Sequence, residues 1–256
     1  MEKRVAIQLA GLIRGFRFES VRDLFYERII RQLELQGYAV DIFWHTYDIQ
    51  FDDIVYSLDP SKFNVVKLVV DSDHDLQRYL QEEYKLLTHY KFHPYWEREV
   101  ALSPASTGVL SHEISKDYLK YGWVKFLCSI SRATKLRNEY EQRGPTASSY
   151  EWVITTSPQM EPQSDLDNLT VLDNAYMYSP KRYLCKGFYT SFYIGNAEHA
   201  NYMGTFYRGV IDKTIGETLI NSEPVFKRFV NKKYSIRTSL EISFNRIRYD
   251  GTRIDH

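Results

Sequence analysis

The N-terminal third of the chain alternates apolar runs with one amphipathic segment. The apolar runs are RVAIQLA at 4–10, YAVDIFWH at 38–45 and FNVVKLVV at 63–70. Between the first two, apolar residues recur at helical spacing: Val21, Leu24, Phe25, Ile29 and Leu33. Ser20 is expected to cap this helix, and Gly37 to take the left-handed conformation that ends it. Strand, helix and strand at this spacing predict a βαβ unit, and so a largely parallel sheet.

The rest of the chain continues the alternation of helical and strand-like patterns. Helical periodicity is expected over 73–90, and again over about 114–142 until Gly144-Pro145 ends it. YEWVITTS at 150–157 predicts a strand, and later segments predict helices around 196–220 and 222–231 and a last strand at 240–250. The predicted fold class is therefore α/β, a single domain over 1–256 with a mainly parallel twisted sheet flanked by helices.

Charge and apolar run length exclude several classes of protein. The 33 Lys and Arg balance 33 Asp and Glu, so no global field favours nucleic acid. No apolar run approaches the roughly 20 residues of a membrane-spanning helix, and the N-terminus reads as a strand rather than a signal peptide. The two cysteines, Cys128 and Cys185, offer no disulfide framework, which indicates a reducing, cytoplasmic setting.

The common catalytic motifs are missing. The sequence has no G-x-x-x-x-G-K-[ST], G-x-G-x-x-G, G-x-S-x-G or H-E-x-x-H, and its seven histidines do not cluster at metal-ligand spacing. Kinases, Rossmann dehydrogenases, serine hydrolases and zinc proteases are disfavoured. The 21 tyrosines instead suit the flat faces and hydroxyl rims of nucleosides and sugars, although an aromatic-rich core is the better explanation for any single one.

Five segments, taken in order, resemble a known family. They are GLIRGF after the first strand, DIFWHTYD, SISRATKLRNEYE on the long helix, YEWVITTSP, and FNRIRYDG. Together they resemble glycosyltransferase-like proteins of large DNA viruses and bacterial polysaccharide clusters. The resemblance implies a glycosyltransferase A-type fold, with a nucleotide-sugar-binding half at 1–157 and an acceptor-side half at 158–256. If the protein is viral, the implied location is the host cytoplasm.

The resemblance implies that the donor binds over the carboxyl ends of the strands, where open α/β sheets place their ligands. Arg14 matches a family arginine, and the resemblance implies that it faces the donor diphosphate. An arginine suits this place because a guanidinium pairs bidentately with phosphate oxygens. His45 is expected to orient its loop by hydrogen bonding, and Asp48 either binds a ribose hydroxyl or caps a helix. The complete set of expected donor-binding residues is Gly11, Arg14, Arg17, His45, Asp48, Ser157, Gln159, Arg246 and Arg248.

The sequence departs from its relatives where a metal would bind. Relatives read R-P-D at the end of the fourth strand, whereas this chain reads Ser157-Pro158-Gln159. An amide replaces a carboxylate poorly as a ligand for Mn²⁺ or Mg²⁺. The expectation is that no cofactor is required, with Mn or Mg left possible through Glu161, or through Asp71 and Asp73, which otherwise cap the next helix.

Transfer with inversion needs a carboxylate or histidine to take the proton of the acceptor hydroxyl. The candidates are Glu198 and His199 in the turn NAEHAN, and Asp173 in an acidic loop that also holds Asp165 and Asp167. Arg246 and Arg248, on one face of the last predicted strand, are expected to return positive charge to the leaving diphosphate.

The expected function is transfer of one sugar, such as xylose, another pentose, a deoxyhexose or a hexose, from a nucleotide-sugar to a glycan hydroxyl. The expected partners are a UDP-sugar and a glycan or glycoprotein acceptor. The alternatives are a noncatalytic nucleotide-sugar or glycan-binding protein and, disfavoured by the missing glycine-rich phosphate loop, a nucleotidyltransferase.

Overall fold

A computed structural model of the 256-residue chain gives a central sheet and the helices that pack against it. The residues described are 2–47, 53–54, 57–71, 91–92, 112–143, 150–181, 189–211, 219–220, 222–247 and 251–255. The predicted helix at 73–90 lies outside them, as do Asp48, Asp73, Cys185 and Arg248.

The first half forms the predicted βαβ start. Strands β1 (Lys3–Ala10), β2 (Tyr38–Thr46) and β3 (Val65–Val70) are joined in parallel, and α1 (Glu19–Phe25), a π-helical turn (Tyr26–Ile30) and α2 (Arg31–Leu35) connect the first two.

Of the two predicted ends of the helical segment after β1, the C-terminal one is confirmed and the N-terminal one is not. The expected cap is wrong: α1 begins one residue before Ser20, and its N-cap is Phe18, without a side-chain hydrogen bond. Gly37 does take a positive φ of 84° after the helix, as predicted.

The elements that follow are, in chain order, β4 (Lys91–Phe92), α3 (His112–Arg143), β5 (Trp152–Thr156), β6 (Met160–Pro162), β7 (Met177–Pro180), β8 (Phe192–Gly195), α4 (Ala197–Gly204), α5 (Phe206–Ile211), β9 (Leu219–Ile220), α6 (Ser222–Asn231), β10 (Ile236–Leu240), β11 (Phe244–Ile247) and β12 (Arg253–Asp255).

The single strand expected at 240–250 is wrong. Leu240 is the last residue of β10, residues 241–243 are irregular, and β11 begins at Phe244 in a different sheet. The expected helix around 196–220 is likewise two helices, α4 and α5, over its described part.

The central sheet has seven strands in the order β10-β7-β8-β5-β1-β2-β3. The β1–β2, β1–β5, β2–β3 and β7–β10 pairs are parallel, whereas β8 runs antiparallel to both of its neighbours. With helices packed on it, this sheet confirms the predicted fold class, mainly parallel α/β. A small antiparallel sheet, β12-β11-β6, adjoins it, and β4 pairs with β9. The single-domain organisation stays a prediction.

Side chains alternate between the two faces of β1, as the pleat of a strand requires. Val5, Ile7 and Leu9 join a core cluster with α1 and α2, whereas Ala6, Gln8 and Ala10 lie on the other face. Ala10 packs with residues of α3, and the Gln8 side chain accepts hydrogen bonds from the hydroxyls of Thr134 (3.3 Å) and Thr155 (3.0 Å). The sheet thus lies between α1 and α2 on one side and α3 on the other.

Strand direction defines two edges of the sheet. β1, β2, β3 and β5 all end at one edge, which we call the carboxyl edge; Gly11, Tyr47, Asp71 and Ser157 are the residues that follow these strands. β8 runs the opposite way, since Gly195 pairs with Val153 and Phe192 with Thr156. The residues that follow β8 therefore lie at the other edge, the amino edge. In the described part of the chain, no helix is long and apolar enough to cross a bilayer.

Candidate functional site

The loop that follows β1 begins at a glycine held by the long helix α3. Gly11 has a φ of 98°, and a β-carbon there would stand 3.1 Å from the ring of Phe126. Its N–H donates to the Ser129 hydroxyl (2.7 Å) and to the His45 carbonyl (3.2 Å). Phe126 and Ser129 are one turn apart on α3, so this helix fixes both the position and the direction of the first loop residue.

Four residues further on, the same loop packs against the loop that follows β5. The segment Arg14–Arg17 is a 3₁₀ turn, and a β-carbon on Gly15 would stand 2.3 Å from the Pro158 carbonyl oxygen. Real β-carbons do not approach so closely, so a glycine is required at this position. The expected phosphate-facing segment is therefore anchored on both sides, at Gly11 by α3 and at Gly15 by Pro158.

His45, at the end of β2, is completely buried and hydrogen-bonded at both ring nitrogens. Its Nδ1 lies 2.8 Å from the Ser129 hydroxyl and its Nε2 lies 3.0 Å from the Asp71 carboxylate. Burial lowers the pKa of His45 and so favours the neutral ring, although Asp71 acts in the opposite direction. A neutral ring fits these partners with the proton on Nε2, facing the carboxylate, and the serine hydroxyl donating to Nδ1.

Asp71 links His45 to the helix α3. Its carboxylate accepts from His45 and forms an ion pair with Arg132, and its backbone N–H donates to the Thr46 carbonyl (2.9 Å). The hydrogen bond from His45 lowers the pKa of Asp71, and the charge of Arg132 lowers it further. Burial acts in the opposite direction but does not outweigh these two effects. Asp71 is therefore an ionised carboxylate with two protein partners, at the point where β3 ends.

The sequence did not point to the polar residues of α3 that face this edge. They are Lys125, Ser129 and Arg132, spaced by four and three residues. Lys125 is buried, with its ammonium 5.9 Å from the centre of the Tyr47 ring. The available signal was a set of polar residues at helical spacing within the apolar pattern of α3, because a buried helix face keeps such residues only with polar partners.

Ser157, Gln159 and Arg246 come together on the other side of the Gly11–Arg17 loop. The Gln159 backbone N–H donates to the Ser157 hydroxyl (3.3 Å), and the Gln159 side-chain oxygen accepts from Arg246 Nε (3.4 Å). Arg246 is exposed on β11, opposite Met160 of β6. The small sheet thus places a guanidinium directly beside the glutamine that follows β5.

Glu161 is buried in the small sheet and has protein partners on both carboxylate oxygens. Arg253 binds it bidentately (2.8 and 2.9 Å), and the amides of Gln163 (3.0 Å) and Asn245 (3.3 Å) also donate to it. Burial raises the pKa of Glu161, but these hydrogen bonds outweigh it and hold the pKa below its usual value. Among the residues that the structure describes, no group of three or more His, Cys, Asp or Glu side chains is placed to hold a metal ion.

The three expected catalytic residues lie at the amino edge instead, away from the donor-side residues. Glu198 and His199 follow the antiparallel strand β8, and Asp173 precedes β7, which starts at the same edge. A hydrogen bond from the Asn196 side chain to the Asn174 carbonyl (2.9 Å) joins the two loops. Because β8 reverses direction, these residues lie at the edge opposite the expected donor-binding residues. Their expected catalytic roles stay predictions.

The side chains of His199 and Asp173 take part in local hydrogen bonds, one at the start of a helix and the other in a turn. His199 is buried, and its Nδ1 accepts from the Asn196 N–H (3.1 Å) while the Asn196 side chain accepts from the His199 N–H (2.9 Å). This capping box begins α4. The Asp173 carboxylate accepts from the Ala175 N–H (3.0 Å) in a turn.

Of the remaining donor-side residues, the structure places the backbone of Arg14 in the 3₁₀ turn and the Arg17 guanidinium 5.8 Å from the centre of the Phe18 ring. Asp48 and Arg248 lie outside the described residues, and their expected roles stay predictions.

The sequence matches no family model and no curated protein sequence. Among solved structures, it is similar to the apo form of mouse xyloside xylosyltransferase 1 (8% identity, TM-score 0.40, covering 93% of this chain and 84% of that one). It is also similar to the apo form of the glycosyltransferase GlyE from Streptococcus pneumoniae TIGR4 (11% identity, TM-score 0.39, covering 93% of this chain and 45% of that one). These structural neighbours are glycosyltransferases, and the chain spans less than half the length of GlyE.

Proposed function

We propose that this protein is a glycosyltransferase that moves a single sugar from a nucleotide-sugar to a hydroxyl of a glycan or glycoprotein. The observation that carries the proposal is the anchored loop Gly11–Arg17. It lies at the carboxyl edge, fixed between α3 and Pro158, and Arg246 stands on the far side of Gln159. Ligands of open α/β sheets bind at this edge, outside the carboxyl ends of the strands.

The diphosphate of the donor is assigned to the region between the Gly11–Arg17 loop and Arg246. Two phosphates need positive charge, and guanidinium groups supply it with bidentate geometry. A loop anchored at two glycines fixes the backbone of Arg14 before the ligand arrives, so less ordering of the main chain opposes binding. The nucleoside is assigned to the ends of β2 and β3, beside His45 and Asp71. We favour UDP as the nucleotide and a pentose, deoxyhexose or hexose as the sugar.

We further propose that transfer does not require a divalent metal. Gln159 follows the strand at which the resembled family carries a metal-binding aspartate, and its side chain contacts Arg246. Asp71 and Glu161, the described carboxylates considered as ligands, are each paired with an arginine. Fixed cations such as Arg14 and Arg246 then stabilise the charge that develops on the leaving diphosphate.

The acceptor must approach from the same edge, because its hydroxyl attacks a sugar held by the donor site. A general base works only within hydrogen-bond reach of the hydroxyl that it deprotonates. Glu198, His199 and Asp173 are at the amino edge and take no part in the proposed reaction. We therefore assign proton removal to a group at the carboxyl edge.

The test is a thermal-shift and hydrolysis screen against UDP-, GDP- and dTDP-sugars, with and without manganese and with glycan acceptors. A donor at a hundredfold excess over its dissociation constant should raise the free energy of unfolding by about 2.7 kcal/mol. Absence of any shift with every nucleoside diphosphate tested would overturn the proposal. Donor binding without turnover in any condition would favour the alternative, a noncatalytic nucleotide-sugar-binding protein.

A further inference from the structure

Four structural elements meet in one continuous line of polar contacts behind the proposed donor site. The line runs from Arg132 to Asp71, from Asp71 to His45, from His45 to Ser129, and from Ser129 to the backbone N–H of Gly11. The last three contacts are 3.0, 2.8 and 2.7 Å long. These residues come from α3, the end of β3, the end of β2 and the start of the loop after β1, so the line crosses the carboxyl edge.

The Ser129 contact is additional to what the sheet itself provides. The parallel ladder of β1 and β2 already offers Gly11 the His45 carbonyl, at 3.2 Å. The Ser129 hydroxyl is a nearer acceptor for the same N–H, at 2.7 Å, and Ser129 is completely buried. The buried Ser129 hydroxyl therefore fixes the first residue of the Gly11–Arg17 loop, in addition to the hydrogen bond that the sheet already provides.

One arrangement of protons satisfies every member of the line. The serine has one proton, which it donates either to His45 Nδ1 or to the His45 carbonyl (2.8 Å), and in both cases its oxygen still accepts from Gly11. His45 Nε2 donates to Asp71, and Asp71 also accepts from Arg132. When the serine proton goes to Nδ1, every donor and acceptor of the line is paired. Such a network is rigid, so a change at its partly exposed end, Asp71 and Arg132, shifts the groups at its buried end.

We infer that Ser129 and His45 are positioning residues that couple the carboxylate of Asp71, at the nucleoside side, to the backbone of the Gly11–Arg17 loop, at the phosphate side. Neither residue needs to touch the donor. A ligand that contacts Asp71 or Arg132 changes the hold on Gly11, so binding of the nucleoside and binding of the diphosphate become cooperative. The identity of the ligand rests on the proposed function, whereas the coupling itself does not.

The first experiment needs no ligand. Amide hydrogen exchange is measured for the 11–17 segment in wild type, Ser129→Ala and Asp71→Asn. The matched control is Thr134→Val, because Thr134 is also a buried hydroxyl of α3 that bonds to β1, at Gln8, but lies away from the loop. Loss of one buried hydrogen bond should speed exchange at Gly11 about tenfold in Ser129→Ala. Asp71→Asn should change exchange in the same segment, Thr134→Val should not, and Ser129→Thr should restore protection.

The second experiment measures UDP affinity in a double-mutant cycle of Ser129→Ala and Asp71→Asn. Residues that act through one line show non-additive effects, whereas independent residues add. We expect the double variant to lose no more affinity than the worse single variant, with Thr134→Val binding UDP like wild type. Unchanged exchange at Gly11 in either Ser129→Ala or Asp71→Asn, or additive losses of affinity, would overturn the inference. If wild type binds no nucleoside diphosphate while the exchange result holds, the proposed function fails and the coupling stands.

Discussion

Gly15 lies so close to Pro158 that a β-carbon on residue 15 would stand 2.3 Å from the Pro158 carbonyl oxygen. The contacting atom is backbone, so a larger residue cannot be accommodated by turning a side chain. The loop after β1 and the loop after β5 are therefore in direct main-chain contact, and the packing depends on one missing methyl group.

The substitution Gly15→Ala tests this contact. It should separate the two loops, lower the free energy of unfolding by about 1–3 kcal/mol through overpacking, and weaken UDP binding. The matched control is Gly37→Ala, at a positive φ but with open space around it, which should cost about 1 kcal/mol of stability and leave UDP affinity unchanged. Denaturant unfolding and calorimetric titration measure both quantities. Equal UDP affinity in Gly15→Ala and wild type would show that the loop contact does not serve binding.

Arg14 is the residue to which the family resemblance assigns the donor diphosphate. Arg14→Ala should weaken binding of a UDP-sugar by about 1.5–3 kcal/mol, or roughly 10- to 150-fold, because a charge-assisted hydrogen bond to phosphate is lost. The unfolding midpoint should not change. Arg31→Ala, which removes an exposed arginine of α2 paired with Glu27, is the control and should bind like wild type. The phosphate assignment is wrong if the two variants bind the donor equally well.

The ion pair between the buried Glu161 and the exposed Arg253 should make stability depend on pH. The pKa of Glu161 is lowered in the folded protein, so its contribution is present above the unfolded value, near 4.5, and is lost as pH falls through the folded value. Arg253→Gln leaves the buried carboxylate without its cation and should cost about 1–3 kcal/mol at pH 7.

The difference between Arg253→Gln and wild type should shrink as pH falls below about 4.5, because protonation removes the unpaired buried charge. Denaturant unfolding between pH 3 and pH 7 measures it. Lys181→Gln removes an exposed partner of Glu241 and should change stability little at any pH. A constant difference for Arg253→Gln across the range would assign its effect to packing rather than charge.

Local sequence patterns predicted the helices and strands. The direction of each strand and the sheet that it joins depend on long-range pairing, which the sequence does not show. The apolar run of β1 and the periodicity of α3 follow from neighbouring residues, and both were correct in type and approximate extent. The direction of β8 depends on pairing with β5, about forty residues earlier, and it moves Glu198 and His199 to the amino edge. A strand pattern has no direction relative to its neighbours, so this placement could not be predicted from the sequence.

The same reason explains the residues that the sequence missed. Ser129 meets Gly11 across 118 positions of sequence and His45 across 84 positions. On α3 it is one small polar residue within an apolar stripe, and its role appears only when β1, β2 and α3 are brought together. The break between β10 and β11 is similar, because it occurs where the chain passes from the large sheet to the small one.

The last prediction concerns metal. Turnover should survive EDTA nearly unchanged, since Gln159 replaces the expected aspartate and Arg246 stands beside it. Arg246→Ala should lower kcat, because a fixed cation that stabilises the leaving diphosphate is lost. Gln159→Asp, which restores a carboxylate, should instead make turnover depend on manganese, as hard divalent cations take oxygen ligands.

Loss of wild-type activity in EDTA, with recovery in manganese, would contradict this prediction and identify a metal enzyme. Glu161→Ala, Asp71→Ala and Asp73→Ala would then be compared, and the variant that folds but no longer recovers in manganese would carry the ligand. Glu161 and Asp71 are each paired with an arginine, so a metal at either residue must displace Arg253 or Arg132. Displacement of a bound cation makes metal affinity weak, which a manganese titration measures directly as a high concentration for half-maximal recovery.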